Sequence, residues 1–556
     1  MFTRLTSSGG RTYLQLVEAY RTESGATRQR VIANFGRLDK LEPKHLDPLI
    51  NGLNRALGRS TNPASPVQYD SARAYGDVYA LHQLWTELGF GDAIKRAFRS
   101  SRREFDAEAM VRAMVFNRLC DPDSKLGVLR WLETVAAPGM PETISHDHLL
   151  RTMDLLSERC PAIDDSLCKL IRPLIDQELS VVFYDLTTVR IHGNAELEDD
   201  VRAYGINKET GGIARQFVLG LVQTSDGLPL MHTVRPGNVA ETKTLRAMLE
   251  GVLQRFDVQR VILVADRGLL SLDNVAQLAE VAASSSRRIE FILAVPARRY
   301  AELGGVMDSL AFVDGIAESR FAEHRLVVAH DPLRAAEQSA RRRERIAELE
   351  AFAERLVGKL DTQDEGKSER GRRATDRGAY SRFARAVADA ELTRFVHADY
   401  QADRFSYSID EAAIAGAERF DGKLVLLTSV ADFGAAEIVD RYKSLADIER
   451  GFRVLKSDIE IAPVYHRLPE RIKAHASLCF MALILYRVMR ARLKLAGHEA
   501  SPESALAQLR RIQRHTVSID AGSPISGIST INQEQAGVIA ALKLKKPTPD
   551  RQLSLL

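Results

Sequence analysis

The sequence predicts an α/β protein in which a mixed sheet covered by helices follows a β-hairpin and a helical stretch. Three observations carry that prediction. Apolar and polar residues alternate over the first forty positions, and helical periodicity takes over from about 75 to 175. From 181 onward, short apolar runs rich in β-branched residues alternate with amphipathic stretches.

The segments TYLQLVEAY and RQRVIANFG flank the turn-forming TESGAT, which is a hairpin signature. Arg21, Arg28, Arg30 and Arg37 decorate it, either as solvated charges or as DNA contacts. DVYALHQLWTELGF, AEAMVRAMVFNRL and DHLLRTMDLLSER read as short helices, broken at Asp121-Pro122 and Cys160-Pro161. VVFYDLTTVRI then reads as a buried strand. RQFVLGLVQT and LPLMHTVRPG are two more, joined by a turn at Asp226-Gly227. VAETKTLRAMLEGVLQRF is an amphipathic helix, RVILVADRG a buried strand, LDNVAQLAEVAAS a helix and RRIEFILAVPAR a last strand. The order β-β-β-α-β-α-β implies a mixed sheet with helices packed on it.

Between 300 and 430 the composition shifts. PLRAAEQSARRRERIAELEAFAERLVGKL is a long charged helix, and residues 366–385 hold seven Lys or Arg against two acids. That basic run suits phosphate binding or a solvated loop. FSYSIDEAAI and KLVLLTSV look like strands, and the chain from AEIVDRYKSL onward is helical. These changes divide the chain into an N-terminal hairpin region with possible DNA contact (1–65) and a helical region read as a DNA-end-binding domain (66–178). A core follows, built from 179–299 and 431–500 around an insertion (300–430), and then a C-terminal helical tail (501–556).

At 556 residues the chain exceeds what one core usually supports, and 45% hydrophobic with 27% charged residues is ordinary for a globular protein. The formal charge of +3 makes only a weak compositional case for nucleic acid. Cys120, Cys160, Cys168 and Cys479 form no C-x-x-C pair and no zinc-ligand spacing, so reduced, mostly buried thiols are expected. The opening MFTRLTSSGGRTYLQL has no apolar signal region. The apolar run Ala476–Tyr486 is too short to span a bilayer. A cytoplasmic protein outside the membrane is the expectation.

Chemistry concentrates on two aspartates. VVFYDLTTV sets Asp185 inside an apolar run, and VILVADRG sets Asp266 at the end of another. A carboxylate on a buried strand is costly unless paired, protonated or bound to a cation. Two of them could hold hard divalent cations through oxygen; the plain alternative is that each caps a following turn. On a helix from about Val439 to Asp458, Tyr442, Glu449 and Lys456 recur every seven residues within a roughly 40° arc, with Arg453 beside them. Leu445, Ile448, Phe452, Leu455 and Ile459 form the adjoining apolar stripe, so Glu449 lies at the edge of a face that could meet the sheet. Taken alone, that pattern also fits amphipathic rim residues.

YDLTT, VADRG and the series Tyr442-x2-Leu445-x3-Glu449-x6-Lys456 together resemble the DDE transposases of bacterial insertion sequences, in the IS-four-type group with its Y-(2)-R-(3)-E-(6)-K signature. GNVAETKTL, FDGKLVLLTS, IERGFRVLKSDIEIAPVYH and RIKAHASLCFMALILYR are also similar to that group, as is the N-terminal hairpin. The resemblance implies an RNase H-like mixed-sheet catalytic core with an insertion before the Glu helix. Asp185 would lie on its first strand and Asp266 on its fourth, with spacings of 81 residues to Asp266 and 183 more to Glu449. It also implies two Mg²⁺ ions, with Mn²⁺ able to substitute. Asp185 would bridge them, and Asp266 and Glu449 would each hold one. Water would cut the transposon end, and the freed 3′-OH would attack target DNA. Tyr442, Lys456, Arg453 and Arg267 would contact DNA, with Lys456 as a point charge. Partners would be terminal inverted repeats, target DNA and a second copy in a synaptic homodimer, in the cytoplasm at the nucleoid.

Two departures stand out. Leu445 occupies the signature's arginine position, so one expected phosphate contact is absent. Trp85 and Trp131 are the only tryptophans and both lie outside the core, so the core does not supply the tryptophan with which some relatives hold a flipped base in a flanking-DNA hairpin, and whether that hairpin forms is left open. His466 and His475 follow the signature helix without a defined catalytic role. A haloacid-dehalogenase-like phosphatase is a competing reading of Asp185-Leu186-Thr187-Thr188 with Asp266 on magnesium, although Thr187 stands where that loop needs a second Asp. The other competing reading is a transposase-derived DNA-binding protein without activity.

Overall fold

The computed structural model describes the chain except residues 59–66, 100–103, 142, 175–180, 194–199, 208–210, 240–243, 257–258, 266–279, 282–286, 322, 368–372, 520–523 and 549–556. Two units result: Met1–Arg73 with Gln513–Ser529, and Ala74–Ile512 with Thr530–Pro547.

In the first unit, β1 (Phe2–Ser8), β2 (Arg11–Arg21) and β3 (Thr27–Arg37) form an antiparallel sheet in that order. The β2–β3 pair is the hairpin expected from alternation, while β1 is an addition. Gly9 and Gly10 turn the chain between β1 and β2 at φ +57° and +70°, a backbone region that glycine enters without strain. In the same unit, β4 (Val67–Ala74) completes a second sheet with two strands from the far end of the sequence, described below.

The larger unit is organised by one sheet. Its strands are β5 (Val181–Arg190), β6 (Ala203–Ile206), β7 (Ile213–Thr224), β8 (Pro229–Pro236), β9 (Arg260–Ala265) and β10 (Arg288–Ala294), continued by β11 (Ile316–Phe321) and β12 (His324–His330). β13 (Val396–Gln401) and β14 (Arg404–Ile409) form a separate hairpin, and β15 (Lys423–Thr428) returns to the main sheet. The order is β11-β12-β15-β10-β9-β5-β7-β6, with β8 also paired to β7. β5 runs parallel to β9, which runs parallel to β10, and antiparallel to β7. The mixed sheet is therefore as expected, with β6 as a short strand whose four residues were too few to show a period.

Two boundaries differ from the sequence reading. β11, β12 and β15 lie within 300–430 yet extend the main sheet, because VVAH and KLVLL carry apolar side chains on both faces and need cover on both. What stands apart is the stretch between β12 and β15. Helices Pro332–Asp364 and Asp376–Asp389 pack with the β13–β14 hairpin around Ile346, Leu349, Phe383, Val387 and Phe405, a core of their own. Arg342 joins it to the start of β15 through paired hydrogen bonds of 2.6 and 2.9 Å to Asp421. The second difference is at the C-terminus, read as a helical tail. Helices Pro502–Arg510 and Gln533–Ala541 are there, but β16 (Gln513–Ile519) and β17 (Ile525–Ile528) lie between them and pair in the order β17-β16-β4. The alternating β-branched run HTVSI is the local reason.

The helical region does not form a unit of its own. Helices Ala107–Cys120 and His146–Glu158 pack against Pro469–Leu495, and one continuous core joins them to the sheet. Helix Pro469–Leu495 is long and apolar enough to cross a membrane, but 94% of its most apolar window is buried inside the protein. An all-round apolar helix is what a position between two layers requires. Cys120, Cys168 and Cys479 are buried free thiols, and Cys160 is half-buried.

Candidate active site

Asp185 sits in mid-strand on β5, half-buried, with Oδ1 accepting a 2.7 Å hydrogen bond from the backbone N–H of Leu186. Its neighbours explain the exposure pattern. Tyr184 points to the opposite face and is fully buried, its hydroxyl 2.9 Å from Oγ1 of Thr244 at the start of helix Leu245–Arg255. Burial pushes the Tyr184 phenol up to about 12, so it stays protonated there. Phe183 shares the face of Asp185 and is registered opposite Gln223 on β7.

The parallel neighbour of β5 is β9, whose last described residue, Ala265, is registered against Tyr184. Asp266 and Arg267 follow it and lie outside the described residues. So do most of LDNVAQLAEVAAS and residues 368–372 of the basic run; residues 376–385 of that run belong to helix Asp376–Asp389 in the separate small core.

The helix expected from Val439 to Asp458 is interrupted. Helix Ala435–Lys443 ends where Leu445 N–H bonds the carbonyl of Tyr442 at 2.9 Å, a tightened turn, and Ala446–Arg453 starts directly after it. Val454–Asp458 then forms a π turn, closed by a 2.9 Å bond from Ile459 N–H to Val454 O. Both irregularities shift the helical phase, so Tyr442, Glu449 and Lys456 do not share one straight α-helical stripe. Leu445 is buried in the core, which makes the signature's arginine position a packing position here.

Helix Ala446–Arg453 packs against β5. Gly451 carries the close approach: a Cβ there would lie 2.6 Å from Nε2 of Gln223 and 3.0 Å from a guanidinium nitrogen of Arg487. Because Gln223 shares the face of Asp185, this helix lies over that face. Glu449 and Arg453 are exposed, while Tyr442 and Lys456 are half-buried. Tyr442 and Glu449 line one cavity of about 570 Å³, together with His330, Asp331, Arg334 and Lys443. β12 ends and β15 begins at this cavity, and β12 runs parallel to β5. The cavity therefore lies at the carboxyl end of β12, on the same edge of the sheet as the carboxyl end of β5.

The sequence reading did not single out Gly451, Gln223 or the four cavity residues. Gly451 alone left a local trace, as a glycine inside a helical pattern. His475 is buried, its Nε2 3.1 Å from the carbonyl of Ile461, and burial holds it well below the usual imidazole range, so it is neutral. Trp85 and Trp131 are buried in the helical layer, with Trp85 Nε1 donating to Glu108 at 2.7 Å. Among the described residues no group of three or more His, Cys, Asp or Glu has metal-holding geometry.

Asp185 thus lies in mid-strand on β5 with the helix that carries Glu449 packed against that strand, although Asp185 is not among the residues lining the Glu449 cavity. β5 continues its pairing with β7 to Arg190, five residues past Asp185. Residues 176–485, more than half the chain, match the family model described as Transposase DDE domain, and the protein belongs to that family. Residues 3–66 match the N-terminal domain of IS1634 family transposases. It is a transposase of an insertion sequence, an enzyme that cleaves transposon DNA ends and transfers the 3′-OH strand into target DNA with divalent metal ions. Among solved structures the chain is similar to the piggyBac transposase synaptic complex with hairpin DNA, at 10% identity and TM-score 0.37, over 78% of this chain and 79% of that one. It is similar also to the Drosophila P element transposase strand transfer complex, at 11% identity and TM-score 0.21, over 77% and 89%. No curated protein matches the chain.

Proposed function

We propose that Asp185, Asp266 and Glu449 are the catalytic carboxylates of this transposase, on an RNase H-like core. One pair of observations supports the reading. The residues preceding the two aspartates, Tyr184 and Ala265, are registered on adjacent parallel strands. Gly451 meanwhile brings the Glu449 helix onto the Asp185 face through Gln223. An oxygen-only donor set of three carboxylates fits hard divalent cations, two Mg²⁺ with Mn²⁺ as substitute. When bound, they would lower the pKa of the attacking water and stabilise the leaving oxygen. Asp185 would bridge, with Asp266 and Glu449 holding one ion each.

The chain's own groups do the rest. Exposed Arg453 and half-buried Lys456 offer cations to the DNA backbone beside the Glu449 helix, and Arg267 would do so next to Asp266. Tyr442 shares the Glu449 cavity and would orient the strand entering it. The DNA substrates are the terminal inverted repeats and the target, held by a homodimer in the synaptic complex. The arginine-bearing N-terminal sheet would add DNA contacts, and the protein would work in the cytoplasm at the nucleoid.

The deciding experiment is cleavage of linear DNA carrying the element's ends, with Mg²⁺, Mn²⁺ or EDTA. Wild-type protein should nick only with metal, and Asp185→Asn, Asp266→Asn and Glu449→Gln should each abolish nicking while still binding the DNA. An Asp185→Asn protein that cleaves at the wild-type rate sinks the assignment.

A further inference from the structure

A second cavity, of about 270 Å³, lies away from the proposed catalytic carboxylates. Four basic side chains line it: Arg118 from helix Ala107–Cys120, Lys125 from the first turn of helix Lys125–Thr134, His466, and His475 from helix Pro469–Leu495. Lys125 is 5% exposed and makes no hydrogen bond or ion pair among the described residues. Nδ1 of His475 and Nε of Arg118 are buried without a partner there. Arg118 is held in place by the backbone carbonyls of Asp123, Ile459 and Glu460.

Two carboxylates reach this cavity, and neither answers Lys125. Asp123 is bonded by the N–H of Ser124 at 2.6 Å and faces Arg130 at 3.4 Å, while Glu460 is exposed. His466 and His475 are held neutral by burial, Arg118 is the standing cation of the lining, and Lys125 becomes a second one on protonation; a buried cation without a counter-ion is costly, so the cavity is complementary to an anion that arrives with a proton. Burial, with Arg118 nearby, pulls Lys125 down to about 7, so an anion arriving at neutral pH would bring a proton with it. The volume is small for a nucleotide and suits a single phosphate group.

Its position says whose phosphate. Val464 lines the cavity and is hydrogen-bonded to the end of β5 and just beyond it, its N–H donating to Arg190 O at 3.1 Å and its carbonyl accepting from His192 N–H at 2.9 Å. Six residues of extended strand separate Asp185 from Ile191, about 20 Å at 3.3 Å per residue, or roughly six base steps of duplex at 3.4 Å each. We propose that this cavity is a phosphate-binding site that takes one phosphodiester of the bound DNA, several nucleotides from the cut. This rests on the transposase reading for the source of the phosphate, not for the site itself.

The test compares wild type with Lys125→Met, which keeps the buried stem and removes the charge, and with Lys125→Arg, which restores the charge. Inorganic phosphate at constant ionic strength should raise the Tm of wild type and of Lys125→Arg but not of Lys125→Met. In DNA binding, Lys125→Met should lower the magnitude of the slope of log Kd against log salt by about 0.9, one phosphate contact. Identical behaviour of wild type and Lys125→Met in both assays overturns the site. A phosphate response with an unchanged salt slope overturns DNA as the source and assigns free phosphate. A wild-type protein that takes phosphate but no DNA refutes the transposase reading and leaves the phosphate site standing.

Discussion

Gly451 and Gln223 meet so closely that a single added carbon on the glycine would fall 2.6 Å from the glutamine's amide nitrogen. Gln223 is fully buried, and neither of its amide atoms has a hydrogen-bond partner among the described residues. The contact is thus steric, between the helix backbone and the end of a buried side chain. Gly451→Ala should displace the Gln223 amide, the Arg487 guanidinium or the Glu449 helix, with an overpacking penalty of about 1–3 kcal/mol. Where the helix gives way, Glu449 moves with it, and metal-dependent cleavage should fall more steeply than stability. Tm and nicking rate measured on one preparation check this; an unchanged nicking rate would remove Gly451 from the argument.

Glu449 itself is exposed, so its loss leaves no buried hole. Glu449→Gln should change stability by no more than about 0.5 kcal/mol. Cleavage should drop by roughly a hundredfold or more, a few kcal/mol of metal-assisted stabilisation at tenfold per 1.4 kcal/mol. Urea melts beside single-turnover nicking separate the two effects. A large loss of stability would mean that Glu449 supports the fold.

Lys125 makes stability depend on pH in a direction that can be worked out. Its folded pKa is lowered to about 7 from 10.5, so between those values the unfolded chain binds a proton that the folded chain does not. Stability contributed at this position therefore rises with pH across that window, and below about 7 the full penalty applies. The groups around Lys125 are Arg118, Cys479, His466 and His475, with Asp123 and Glu460 at the same cavity. In phosphate-free buffer, Lys125→Met should exceed wild type in Tm most at pH 7, with the gap closing toward pH 10. A gap that stays constant from pH 7 to 10 contradicts a neutral buried lysine.

The ion pair between Arg342 and Asp421 fastens the separate small core to the sheet, and both side chains are largely buried, at 14% and 9% exposed. Arg342 also lies over the ring of Phe395 at 5.5 Å. Asp421→Ala leaves that guanidinium without its partner, which costs about 3 kcal/mol. Hydrogen exchange should quicken in helix Pro332–Asp364 while β5 and β9 keep their protection. Uniform quickening across all strands would show that the two cores unfold as one.

The mixed sheet was legible because its strands announce themselves. VVFYDLTTVRI, RVILVADRG and RRIEFILAVPAR are apolar on both faces and rich in β-branched residues, which the equally apolar helical run Ala476–Tyr486 is not. Asp185 was visible for the same reason, as a charge among such residues. The interruption at Leu445 was not, because Leu445 and Ser444 keep helical backbone angles and only one hydrogen bond changes partner. Nor could the second cavity be read. Lys125 follows an ordinary helix cap, and the cavity it lines is completed by His475 of helix Pro469–Leu495, 350 residues later.

That same late helix sets a timetable. Helix His146–Glu158 packs on Pro469–Leu495, which follows it by about 310 residues. A ribosome adding some 5–20 residues per second leaves the apolar side of the earlier helix waiting on the order of 15–60 s for its cover. The newborn chain therefore spends that interval with sticky surface showing, and any copy whose translation stops before Pro469 never leaves that condition.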